Sequence, residues 1–141
     1  MKDSTLYFLQ LKNKVPSDSY PALKQSLDNA NDEFKEKLIY ISFKNPIMGL
    51  IFSVLLPGID RIYKGDLILG AFKLIYFIFV FIFFNIVLSL DDERWVILSL
   101  LLYLSAFVWM IVDIFLVYQG IKRANLKLIF NALNSQGARD E

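Results

Sequence analysis

Two long apolar runs dominate residues 67–121: LILGAFKLIYFIFVFIFFNIVLSL and WVILSLLLYLSAFVWMIVDIFLVYQGI. Only Asp91, Asp92, Glu93 and Arg94 separate them. A helix needs ~20 apolar residues to cross a bilayer, and each run supplies them. A polar break this short joins neighbouring antiparallel helices. The expected fold is therefore an all-α integral membrane protein built on a transmembrane helical hairpin, with spans over residues 67–90 and 95–118.

Composition supports lipid as the solvent. The chain has 141 residues, of which 56% are hydrophobic, and 13 are Phe. A soluble domain of this size has little interior to hide them. The net charge is +1, so no basic field points to nucleic acid. With no Cys and no His, thiol chemistry, zinc sites and imidazole acid–base catalysis drop out. The patch Leu6–Leu9 behind Lys2 and Asp3 is too short for a signal peptide.

Ahead of the runs, Leu6–Leu11 reads as a turn of surface helix or a short strand, and Pro16–Ser19 breaks the chain. Residues 21–43 then read as one amphipathic helix. Leu23, Leu27, Ala30, Phe34, Leu38 and Ile41 fall on one face. That face, with Leu23, Leu27, Phe34 and Leu38 at its centre, either packs on the protein or the bilayer, or docks a partner helix.

A short apolar helix follows over 46–57. Asn45 caps it, Pro46 opens it, and Pro57-Gly58 ends it. At ~1.5 Å per residue it reaches only about 17 Å, short of the ~30 Å hydrocarbon layer. Extension back to Ile39 would bury Lys44 at ~2.5–3.5 kcal/mol. A re-entrant or interfacial helix is expected. Lys35, Lys37, Lys44, Arg61, Lys64, Lys122, Arg123 and Lys127 then share one side, against Arg94 on the other. The positive-inside rule puts both termini in the cytoplasm. Expected regions are a cytoplasmic segment 1–43, a membrane domain 44–121 and a cytoplasmic amphipathic tail 122–141.

Counting outward from the turn at Asp92 and Glu93, Lys73 and Asp113 each lie about twenty residues away, at equal depth in a hairpin. Both sit roughly 8–9 Å inside the apolar layer. A lone charge there is costly, and pairing reduces the cost. Lys73 can snorkel to the surface, whereas short Asp113 cannot. Arg61 competes with Lys73 as its partner. Asp113 is thus either a structural tie or an ion-responsive carboxylate. Ser99, Ala106, Asp113 and Gly120 recur every seven residues as a packing stripe, and Asn85 faces Ser99 in depth. Tyr63 reads as an interfacial anchor.

Lys44-Asn45-Pro46, the run Pro57-Gly58-Ile59-Asp60-Arg61-Ile62-Tyr63-Lys64-Gly65, and Trp109–Asp113 together resemble the TM2-domain family over residues 44–120. Members have two transmembrane helices and an Asp-Arg-Phe-type motif followed by Tyr-x-Gly. Asp60, Arg61, Tyr63, Gly65 and Asp113 fall on that pattern, and Ile62 replaces its Phe. The resemblance implies architecture rather than an activity.

The functional expectation is a small, non-enzymatic protein of the inner (plasma) membrane, without cofactor or metal. It would act by binding another membrane or cytoplasmic protein, or a second copy, as an accessory subunit or an immunity-type protein. The alternative is a small oligomer that conducts ions or protons through Asp113.

Overall fold

The computed structural model describes residues 4–90 and 92–137, with side chains to 133. Every regular element among them is helical. The helices are α1 (Ser4–Leu11), α2 (Tyr20–Asn29), α3 (Asp32–Tyr40), α4 (Pro46–Leu55), α5 (Ile59–Lys64), α6 (Leu67–Val87) and α7 (Glu93–Gly137). Short 3-10 turns at Lys12–Lys14 and Ser17–Ser19 link α1 to α2. The chain divides into two compact units, one of residues 1–46 with 119–141 and one of residues 47–118.

In the first unit, the expected single helix over 21–43 is two helices. Ala30 and Asn31 are extended, with ψ of 144° and 162°. Asn31 accepts a hydrogen bond from the Phe34 N–H at 2.8 Å, so it caps α3. The apolar spacing survives the break because the two extended residues re-aim α3 onto the same core. That core consists of Tyr7, Leu11, Val15, Leu23, Leu27, Phe34, Leu38 and Ile129. The proposed docking face is thereby corrected. Leu23, Leu27, Phe34 and Leu38 are all at most 2% exposed, closed over by α1 and the end of α7. Leu6–Leu11, open between helix and strand in the sequence, is helix α1 because Tyr7 and Leu11 meet that core one turn apart.

Asn125 fastens the loops of this unit. Its Oδ1 accepts from the Lys44 N–H at 3.1 Å. Its Nδ2 donates to the Lys14 carbonyl at 3.0 Å and the Lys44 carbonyl at 2.8 Å. A fully buried amide satisfied in this way fixes loop geometry.

In the second unit, α4 ends at Leu55 rather than at residue 57, and α5 is an element the sequence reading lacked. Two helices, α6 and α7, are long and apolar enough to cross a membrane. Helix α6 stops three residues before the expected end at 90, in a turn closed by the Ser89 N–H to Ile86 and the Leu90 N–H to Val87. Helix α7 starts at Glu93 and runs through Gly120 to Gly137, so the expected tail is not a separate element. One glycine costs a helix only ~1 kcal/mol, and good helix formers flank it here. Helix α7 continues to Gly137, and residues 138–141 and Asp91 lie outside the described residues.

Side-chain contacts join α6 to the first part of α7. The Tyr76 hydroxyl lies 2.6 Å from Ser105 Oγ, and the Tyr76 and Trp109 rings are 5.4 Å apart. Further along α6, Phe84 meets Tyr103 at 5.7 Å and Phe83 meets Trp95 at 6.4 Å. Numbers rise along one helix as they fall along the other. Ser99, Ala106 and Asp113 of the seven-residue stripe are buried, but Gly120 is only half-buried. Val117 is buried instead, because a strict heptad drifts ~20° per repeat on a straight helix. Asn85 and Ser99 do not meet. Each bonds a carbonyl of its own helix, Phe81 at 2.7 Å and Val96 at 2.8 Å.

Two substitutions test the first unit's core. Phe34→Ala, a large-to-small change at a 1% exposed site, should cost ~3–5 kcal/mol. Tyr40→Ala, at an 87% exposed site, should leave stability within ~0.5 kcal/mol. Denaturant-dependent proteolysis of residues 4–46 would separate the two.

Candidate functional site

The site lies in the second unit and begins with the turn after α4. Gly58 has φ of 102°, a conformation that side chains disfavour. Its N–H donates to Asp60 Oδ1 at 2.9 Å, and its carbonyl accepts from the Ile62 N–H at 3.2 Å. Asp60 thereby organises the first turn of α5. Gly65, with φ of 119°, ends that helix, its N–H directed to the Arg61 and Ile62 carbonyls at 3.0 Å. Tyr63 packs edge-on against Phe52 at 5.3 Å, so α4 and α5 share an aromatic contact although Ile62 stands in the motif's aromatic position.

This turn sits on α6 through two glycines. A Cβ added at Gly70 would lie 2.7 Å from the Gly58 carbonyl oxygen and 2.6 Å from Ile62 Cγ1. A Cβ at Gly58 would meet the Gly70 carbonyl oxygen at 2.6 Å. The backbones approach as closely as helices do at small-residue contacts in lipid.

One turn along α6 from Gly70, Lys73 reaches the site centre. Its Nζ donates to Asp60 Oδ2 at 2.6 Å and to Asp113 Oδ2 at 2.7 Å. All three side chains are fully buried. Arg61 grips Asp113 from the other side through Nε, 3.0 Å from Oδ2, and through Nη2 to Oδ1. The remaining Arg61 nitrogen lies 3.4 Å from Asp66 Oδ2, which also accepts from Lys64 at 2.7 Å. The charges alternate: Asp60, Lys73, Asp113, Arg61, Asp66, Lys64. They sum to zero.

The choice left open for Asp113 thus resolves to both cations at once, Lys73 and Arg61. All four expected charge-site residues, Asp60, Arg61, Lys73 and Asp113, converge. Of the motif residues, Pro57, Gly58 and Gly65 form the turns that aim them, and Tyr63 lies inside α5 against Phe52. Three contributors escaped the sequence reading. Asp66 and Lys64 look like ordinary loop charges. Ser53, 2.9 Å from Asp60 Oδ2 and 3.0 Å from the Gly49 carbonyl, was visible as the one polar side chain inside IMGLIFSVLLP.

Electrostatics follow from these pairs. Lys64, hydrogen-bonded to Asp66, holds that carboxyl below the ordinary carboxylate range, and Arg61 adds to the effect. The Asp113 hydrogen bond raises the Arg61 guanidinium above its already high value. Among the described residues no buried side-chain polar atom lacks a partner. The arrangement can hold elements together.

No protein-family model, curated protein or solved structure matches the chain.

Two outcomes are expected. Gly70→Ala drives a methyl group into the Gly58 carbonyl and Ile62, and should lower thermal stability by ~1–3 kcal/mol, read as the midpoint of heat-induced aggregation in detergent. Acidification should loosen the α5–α6 turn. A carboxylate with a depressed folded pKa contributes stability above its unfolded pKa, and that contribution fades as pH falls through the folded value. Amide exchange at Gly65 and Asp66 should therefore be constant from neutrality to about pH 5 and quicken below about pH 4, relative to an Asp66→Asn reference.

Proposed function

We propose that this chain is a small multi-pass protein of the inner membrane, with α6 and the first part of α7 as a transmembrane hairpin. One observation carries the membrane reading. Helices α6 and α7 have mean hydropathies of 2.6 and 2.4 in their most apolar windows, yet only 17% of each window is buried. A core helix of a soluble protein hides such a surface; a hairpin in lipid leaves it outward. Helix α4, about 15 Å long at 1.5 Å per residue, dips into the same leaflet from the cytoplasmic side, and both termini are cytoplasmic by the Lys/Arg distribution.

Within that membrane domain we assign the charge chain a structural role. Its inner end stops at Ser53 and the Gly58 N–H, and every link is an ion pair or hydrogen bond already satisfied. A conducting carboxylate needs a path onward, and this geometry supports a tie instead. The TM2-domain resemblance enters here as a proposal of kinship. Asp60, Arg61, Gly65 and Asp113 of that motif are the residues the tie and its turns use.

The protein's role is non-enzymatic and is exerted by binding another membrane or cytoplasmic protein, as an accessory or immunity-type subunit. Since Leu23, Leu27, Phe34 and Leu38 are filled internally, such a partner has to use other surfaces.

The native chain lacks Cys, so single cysteines at Ser4, Asp92 and Ser135 report topology cleanly. With an impermeant maleimide on intact cells, position 92 should label and positions 4 and 135 should not. The reverse pattern contradicts the cytoplasmic placement of the termini, and all three labelled alike contradicts the hairpin.

A further inference from the structure

The second unit is not the same width along its length. Helix α5 and the Gly58 turn before it meet α6 at Gly70, Lys73 and Leu74, all before Ile75, and α5 meets α7 at Asp113, while α4 joins this end through Ser53 on Asp60 and Phe52 on Tyr63. Towards the other end, the paired residues are Phe83 with Trp95 and Phe84 with Tyr103, of α6 and α7 alone. One end therefore carries four helical segments and the other two. Each segment adds a cylinder ~10–12 Å across.

The added segments present an apolar exterior. Ile47, Met48, Ile51, Val54 and Leu55 of α4 are exposed, while Gly49 and Ser53 on its opposite face are buried. That exterior lies at the same end as the exposed Ile68 and Phe72 of α6. If α6 is in lipid, acyl chains of that leaflet are the occupant that continues from one face to the other. The charge chain is what keeps the wide end wide, because it ties α4 and α5 to α6 and α7.

We propose that residues 47–118 form a wedge that fills the cytoplasmic leaflet more than the opposite one, so that its preferred lipid surface is a bilayer convex on the cytoplasmic side. A flat bilayer must thin or compress one leaflet around such a shape, whereas a convex leaflet has the extra area already. This rests on the membrane reading above.

The test uses the full chain, fluorescently labelled and reconstituted into phosphatidylcholine–phosphatidylglycerol vesicles of graded diameter. External protease distinguishes molecules whose residues 4–46 face outward. For these, density per unit membrane area should rise severalfold from the largest to the smallest vesicles, and inward-facing molecules should show the opposite trend. Replacing Ile47, Ile51, Val54 and Leu55 together by Ala narrows the wide end and should flatten the dependence; Ile51→Phe widens it and should steepen the dependence. A density independent of diameter, or a dependence unchanged in both variants, overturns the wedge while leaving the membrane reading intact. Release of the protein by alkaline carbonate would instead overturn the membrane reading itself.

Discussion

A fully buried ammonium held between two fully buried carboxylates is the constraint on which the second unit depends. Lys73 sits in an apolar helix, and its charge has no route to water. Desolvating a charge costs several kcal/mol unless opposite charge and hydrogen bonds replace the lost hydration. Asp60 and Asp113 supply both, but together they overcompensate by one negative charge. Arg61 corrects that excess, and Asp66 with Lys64 completes a neutral chain leading out to the loop. Removing any one inner member unbalances its neighbours. The geometry of α4, α5, α6 and α7 is therefore linked through the charge balance as well as through packing.

Backbone chemistry places those charges. Gly58 can take its positive φ and lie against Gly70 only because neither residue has a side chain in the way. That contact sets α5 on α6 within one turn of Lys73. Gly65 then stops α5 and lets Asp66 face back towards Arg61. The motif works as a pair of turns that bracket a six-residue helix and deliver two adjacent side chains, Asp60 to Lys73 and Arg61 to Asp113.

Much of this was legible in the sequence, and the misses have physical reasons. Apolar length gave away α6 and α7, because a run of about twenty apolar residues is read by length and needs no amphipathic pattern. Counting from the polar turn brought Lys73 and Asp113 to one depth, since an antiparallel pair preserves register. Spacing alone did not choose between Lys73 and Arg61, because a carboxylate has two oxygens and takes both. Helix α5 was hidden by its shortness and by the glycines at both ends. The break at Ala30-Asn31 was hidden by an apolar spacing that continues through it; Asn31 followed three residues later by Phe34 gives no capping-box signature, since only the Asn half of the cap is a side chain. Asn125 looked like a polar residue on an amphipathic tail, although its job is to satisfy backbone groups of residues 14 and 44.

The central claim is that the charges act as one balanced chain, and a double-mutant cycle on Arg61 and Asp113 measures it most directly. Asp113→Asn alone leaves Arg61 and Lys73 with one inner carboxylate fewer, and Arg61→Met alone leaves an excess negative charge. Together they leave two neutral pairs, Asp60 with Lys73 and Asp66 with Lys64. Breaking one side of a buried pair typically costs ~3–5 kcal/mol. Each single variant should therefore melt well below the native protein in detergent, and the double variant should recover part of the loss, with a coupling of at least ~1 kcal/mol. Native-like stability in both single variants, or losses that simply add in the double, would contradict the balanced chain.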